Sequence, residues 1–467
     1  MRNIKFHLTL ISSSLLFILN CNSQPQGYNI EVTVDKIDQS TAYLGYYYGD
    51  KRYVTDTSQV INNKAVFTGE EALPGGIYFF YTPSDYFEII VDSDQHFNLT
   101  TDTLDYVKNM KVTGSKENEL FRDLRLFVSQ KQKKAAELNQ KLQTEKDEQA
   151  AADIRKQLAE IENEVTGYQE NIVEKHPNLF LANILKATRR PDIPEPEKDE
   201  SGKPVDPNYQ FNYYKAHFFD NIDLSDDRNL RTNFLHAKLM EYLEKLTHPH
   251  PDSVIKSASF IIDQARDNPD MFRYMVVTLT SKYETSEIMG MDKVFVELAE
   301  KYYLSGDADW ADEDVIEKIR TKVEETKPNL IGKPAPPMVI YETDTTPVNL
   351  YDLQSKYLVL FFFDPDCSHC KKVAPKLYDI YAAIKIRGGE VIPISTQPAV
   401  APLIDFNEEL KIDWKTYLDF QYQRKDYSIF TTPVIYILDK NKKIIGKRLD
   451  VNQILDFLDN QNKNTIN

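Results

Sequence analysis

The chain has 467 residues, too many for one hydrophobic core, so about two to four domains are expected. Its 41% hydrophobic content can fill sizeable cores, and no long segment has the composition of a disordered tail. The formal net charge of −16 argues against nucleic-acid binding, and three cysteines are too few for a disulfide framework or a four-thiolate zinc site.

Arg2 and Lys5 precede an apolar run from Leu8 to Leu19, interrupted only by Thr9 and Ser12 to Ser14. At about twelve residues it is too short for a bilayer span, which takes roughly 20, so residues 1–20 read as an export signal. The run Ile18-Leu19-Asn20-Cys21 resembles a bacterial lipobox, although Asn20 departs from the small residue usual before the cysteine. That resemblance implies a lipid anchor on Cys21 and a place in the cell envelope facing the periplasm. The alternative is a soluble periplasmic or secreted protein.

Residues 28–113 read as an antiparallel β module. Ile30, Val32 and Val34 alternate with polar residues, and Asn62-Asn63 between Val60-Ile61 and Ala65-Val66-Phe67 reads as a hairpin turn. Runs at Ile77 to Tyr81, Phe87 to Val91 and Phe97 to Thr101 add strands of a small sandwich or barrel. Tyr46, Tyr47 and Tyr48 are a candidate binding face, with plain packing as the simpler reading.

Residues 115–327 read as helical, opening with Ser115 as an N-cap. Ile154, Leu158, Ile161, Val165, Tyr168 and Ile172 form a seam that suggests two long helices folded on each other about a turn near Lys146 to Ala152. Such helices also offer a route to oligomers. Prolines between Arg190 and Pro207 mark an exposed loop, and further helices are expected near 231–246, 251–267, 270–285, 291–303 and 312–326. His248 and His250 lack a third ligand nearby, so a surface loop is expected there and no metal site.

The C-terminal third alternates strand and helix: a continuous apolar strand Tyr357 to Phe363, a helix Cys370 to Ile386, strands Glu390 to Ser395 and Val434 to Leu438, and a closing helix Val451 to Leu458. Cys367-Ser368-His369-Cys370 follows the first strand directly. A thiolate is the species that attacks a disulfide, and a helix N-terminus favours negative charge, so Cys367 is the candidate nucleophile. Cys370, one turn on, is the candidate resolving thiol, and the pair needs no cofactor.

This stretch resembles the thioredoxin superfamily, in its exported TlpA/ResA-like branch of thiol-disulfide oxidoreductases. The resemblance rests on the Cys367–Cys370 pair after a buried strand, Gly332-Lys-Pro-Ala-Pro336 at the domain start, Thr432-Pro433 before a later strand, and the element order. It implies catalytic roles for Cys367 and Cys370 and a cis-proline at Pro433, with Thr432 and His369 supporting. It also implies disulfide exchange with exported proteins, a membrane electron donor or acceptor, and a thioredoxin-like domain over residues 328–462. Together these give a multi-domain α+β chain.

Two departures bear on proton handling. The acid often found six residues before the first cysteine is Phe361, and the one three residues after the second is Val373. Asp364 and Asp366, which flank the site, are candidate substitutes, with plain loop residues as the equal alternative. His369 resembles the histidine of oxidases and isomerases, so the direction of exchange stays open. A peroxidase of the peroxiredoxin kind would want Thr or Ser where Asp364 stands. An envelope binding or scaffold lipoprotein, with the redox domain secondary, is the main alternative.

Overall fold

The structure, a computed structural model, describes residues 27–464; the export signal and Cys21 lie outside them. The chain forms two compact units. The first runs through Arg189 and regains Arg228–Asn233, and the second takes Arg190–Asp227 and everything from Phe234. The stretch read as one helical region therefore divides between them.

Among the described residues of the first unit, eight strands run in chain order: β1 (Tyr28–Asp35), β2 (Thr41–Tyr48), β3 (Lys51–Gln59), β4 (Lys64–Gly69), β5 (Gly76–Tyr81), β6 (Tyr86–Val91), β7 (His96–Asp102) and β8 (Lys111–Thr113). They make two four-stranded sheets, β4-β1-β7-β8 and β3-β2-β5-β6. Alternate residues such as Ile30, Val32, Phe67 and Leu99 meet Leu44, Phe80, Phe87 and Ile89 in one core, as period-two burial requires.

Three details differ from the sequence reading. β1 pairs with β7 in parallel, so the module is mixed and not purely antiparallel. Asn62 and Asn63 do form a tight turn at φ 54° and 65°, but β3 and β4 then separate into different sheets. The three consecutive tyrosines do not form one face: Tyr46 and Tyr48 both meet the Tyr53 ring, while Tyr47 points the other way and is buried against Phe79.

Helices α1 (Lys116–Thr144), α2 (Glu148–Lys175) and α3 (Phe180–Ala187) complete the first unit. Ser115 caps α1, and α1 and α2 lie together with Phe127 stacked on Tyr168 at 4.5 Å. Asn118 bonds both backbone groups of Ile90 in β6, at 2.8 and 2.7 Å, fixing α1 on the sheet. The buried Glu117 carboxyl accepts the Leu181 N–H at 2.6 Å, serving the start of α3 that has no capping side chain of its own.

The second unit begins with helices: α4 (Tyr209–Ala216), α5 (Leu235–Glu244), α6 (Pro251–Gln264), α7 (Pro269–Glu284), α8 (Asp292–Leu298), which continues into a wider turn at Ala299–Tyr303, and α9 (Glu313–Thr326). α8 packs on both α6 and α7 around fully buried Ile261, Met275, Leu279, Val294 and Tyr302. His250 accepts the Asp252 N–H and caps α6.

Next come β9 (Val339–Tyr341), β10 (Pro347–Asn349), β11 (Tyr357–Phe363), α10 (Ser368–Asp379), α11 (Tyr381–Ile386), β12 (Gly389–Ser395), α12 (Val400–Leu410), β13 (Tyr417–Leu418), β14 (Val434–Asp439), β15 (Ile444–Lys447) and α13 (Val451–Asn464). The helix read as continuous from Cys370 to Ile386 is broken at Ile380. These strands order as β10-β9-β13-β12-β11-β14-β15, with β11 inside the sheet, parallel to β12 and antiparallel to β14.

Every residue of β11 is buried, because the sheet is covered on both faces. Tyr357, Val359, Phe361 and Phe363 face a core shared with α10 to α13, while Leu358, Leu360 and Phe362 face one with Tyr427 and Tyr436. This strand delivers the chain to the site.

Candidate active site

At the end of β11, Asp364-Pro365-Asp366 turns the chain into α10, and Cys367 is the N-cap of that helix. Its sulfur accepts the Cys370 N–H at 3.5 Å, and its thiol points to the Thr432 carbonyl at 3.7 Å. Burial alone would raise the pKa of Cys367. The Cys370 N–H, the Cys370 thiol and the His369 N–H outweigh that effect and hold Cys367 below an ordinary thiol.

Cys370, one turn on, is fully buried among Phe361, Phe363 and Ala374. Burial pushes its thiol up to about 12, offset only in part by the Asp364 N–H, which points at its sulfur from 3.5 Å. Both cysteines are free thiols, one half-exposed and one inaccessible. One is thus poised to ionise, and the other is kept protonated until its surroundings change.

The departures at Phe361 and Val373 have structural consequences. Phe361 stacks on Phe363 at 5.2 Å and faces Trp414, so an aromatic wall stands where a carboxylate is often found. Val373 lines the cleft beside His369. Asp364 and Asp366 hold the turn: the Asp366 N–H donates to Asp364 Oδ1 at 2.9 Å, and Gln397 Nε2 donates to both carboxylates, at 2.9 and 2.7 Å. Asp364 meets Cys370 through its backbone N–H. Gln397 was not singled out by sequence, because nothing local ties a residue after β12 to the turn before α10.

The Thr432–Pro433 peptide bond is cis, and Pro433 lies with His369 in the lining of a cavity of about 620 Å³. The loop leading to it is tied down from outside the sheet. Asn329 Nδ2 donates to the carbonyls of Glu325 and Asp426, at 3.0 and 2.7 Å, and Ser428 Oγ donates to the Glu325 carbonyl at 2.6 Å. The sequence carries no signal for these ties, since Asn329 reads there as a loop residue after a helix.

Residues 331–447 match the AhpC/TSA family. Residues 133–329 and 28–121 match two domains of unknown function, DUF5106 and DUF4369. The thiol-disulfide oxidoreductase ResA of Bacillus cereus is 25% identical over 118 residues, which is 25% of this chain and 68% of that protein. The C-terminal domain belongs to the thioredoxin superfamily.

Within it the domain sides with the TlpA/ResA-like branch and is a thioredoxin-like oxidoreductase. ResA of Oceanobacillus iheyensis is 30% identical over 104 residues, 22% of this chain and 54% of its own. Among solved structures, a domain of a possible thiol-disulfide isomerase from Cytophaga hutchinsonii is 36% identical, covers 29% of this chain and 95% of that one, and has a TM-score of 0.28. The thioredoxin-like domain brings Cys367, Cys370, His369, Thr432 and Pro433 to one end of its sheet, around the start of α10.

Proposed function

We propose that the thioredoxin-like domain exchanges disulfides with exported proteins through Cys367 and Cys370. The observation that carries this is the asymmetry of the pair: a half-exposed thiol with a depressed pKa on a helix N-cap, backed by a buried thiol raised to about 12.

In the reducing direction the Cys367 thiolate attacks one sulfur of a substrate disulfide. A Cys367–substrate bond forms, the substrate S–S bond breaks, and the first substrate sulfur leaves as a thiolate that takes up a proton. Cys370 then loses its proton and attacks Cys367 Sγ. That releases the second substrate thiol and leaves a Cys367–Cys370 disulfide, so two electrons pass to the substrate. The oxidising direction is the reverse. We take the exposed His369, two residues after Cys367, as the side chain that favours the thiolate and with it the oxidising sense of the couple.

The test is the reaction of the reduced full-length protein with a protein disulfide such as that of insulin. Wild type should react, Cys367→Ser should not, and Cys370→Ser should stop at the mixed disulfide, visible as an added mass. Reaction that persists in Cys367→Ser would end the proposal.

The setting we propose is the cell envelope, with a lipid on Cys21 and a membrane electron donor or acceptor as partner. The support is the basic-apolar-lipobox order of the first residues. Among the described residues no helix is long and apolar enough to cross a membrane. Expression in cells fed labelled palmitate should label wild type and not Cys21→Ser; an unlabelled wild type contradicts the anchor.

A further inference from the structure

The cavity beside the cysteine pair has two walls of different origin. One is the thioredoxin-like domain, with His369, Pro433 and Arg448. The other comes from the preceding helices: Glu284 at the end of α7, Glu287 just after it, and Lys322 in α9. A cavity of about 620 Å³ running from the cis-proline to these helices exceeds what a single cysteine side chain needs, and lies in the range of pockets that take drug-sized ligands.

The helical wall is fixed to the active-site loop. Besides the Asn329 and Ser428 bonds, the buried Lys447 ammonium donates to the Asn329 carbonyl at 2.7 Å and pairs with Asp292 at the start of α8. A fixed wall can discriminate, because a mismatched substrate cannot push it aside cheaply.

Its charges differ in how far they are already engaged. The Lys322 ammonium lies over the Phe430 ring at 5.2 Å, and Asp450 accepts the Asn452 N–H at 2.9 Å at the start of α13. Glu284 shares a small recess with Lys322 and Arg448, and Glu287 takes no part in that recess. Both glutamates are exposed, and among the described residues neither forms an ion pair.

We infer that the helices form one wall of the substrate cleft and select polypeptide disulfides carrying a basic side chain near the reacting cysteine. This rests on the exchange reading above. An extended segment held at Pro433 crosses toward Glu284 and Glu287. Lys322 and Arg448 offset the charge of Glu284 in their shared recess, so Glu287, outside it, leaves the lining with the net negative charge that a Lys or Arg complements and an acidic side chain meets as repulsion.

The experiment uses the reduced full-length protein and three disulfides: a peptide dimer with Lys beside its cysteine, the same peptide with Glu there, and the uncharged hydroxyethyl disulfide. Second-order rate constants for the peptides are each divided by the same protein's rate with the small disulfide. Wild type should favour the Lys peptide by about three- to tenfold at low salt, the range expected from one or two exposed charge pairs, and less at high salt. The double variant Glu284→Gln/Glu287→Gln should bring the ratio near one, and Glu284→Lys/Glu287→Lys should reverse it. Equal rates for the two peptides in wild type, or a preference that survives both variants, would overturn the inference. A protein that reacts with none of the three, the small disulfide included, overturns the exchange reading itself, and the inference falls with it.

Discussion

Removing Cys367 isolates Cys370 and tests the asymmetry on which the chemistry depends. An ordinary cysteine thiol has a reference value of 9.0, and the Cys370 thiol is raised to about 12. Three units correspond to roughly a thousandfold less thiolate at neutral pH, and the thiolate is the species that alkylates. The Cys367→Ser variant loses only the two smallest contributions to that shift, the hydrogen bond and the charge of Cys367, because burial is the largest and remains. Cys370 in this variant should therefore react with iodoacetamide at pH 7.5 at least about a hundredfold more slowly than free cysteine. The assay is a mass time course with free cysteine as internal reference. In wild type, Cys367 should alkylate first, and its pH profile should reach its plateau below that of free cysteine, since its pKa is lowered. Alkylation of Cys370 within tenfold of free cysteine would refute the reasoning.

Three other outcomes follow from named contacts. Burial raises the Glu117 carboxyl from 4.5 to about 7, so its contribution to stability is complete below about 4.5 and is lost as pH rises through about 7, roughly 3 kcal/mol at most. Glu117→Gln keeps an acceptor for the Leu181 N–H; it should raise the urea midpoint at pH 8 and leave it unchanged at pH 4, and an equal effect at both would contradict this. Asp292→Ala strands the buried Lys447 ammonium and should cost about 3–5 kcal/mol, whereas Asp292→Leu with Lys447→Met should cost far less; similar losses in the two would be contrary. Finally, Asp364 stands where a peroxidase would want Thr or Ser, so hydrogen peroxide should oxidise Cys367 no faster than a free thiol of equal thiolate fraction, read by mass; peroxide turnover would favour the AhpC/TSA peroxidase chemistry instead.

Much of the second unit was legible because its signals are local. β11 is a long apolar run and α10 starts at a cysteine pair, so order and spacing place them, while the role of Thr432-Pro433 came from the resemblance to the thioredoxin superfamily. β3 was not legible: it is an edge strand exposed along most of its length, so Arg52 to Gln59 carries no alternation. The parallel pairing of β1 with β7 was hidden for another reason, since periodicity tells which face is buried but not which strand is the neighbour. The same limit applied to the site. Gln397, Asn329, Glu284 and Lys322 reach the cysteines or the cis-proline loop only through tertiary approach, and in sequence each reads as an ordinary polar residue on a helix or loop.

The most direct test of the central claim is the reduction potential of Cys367 and Cys370, measured by trapping free thiols across a glutathione redox series and weighing the protein. An exchange catalyst is expected between about −270 mV, where thioredoxin lies, and about −120 mV, with the less negative end expected if His369 favours the thiolate. A pair that stays oxidised well below about −300 mV would behave as a structural disulfide and would contradict the exchange function.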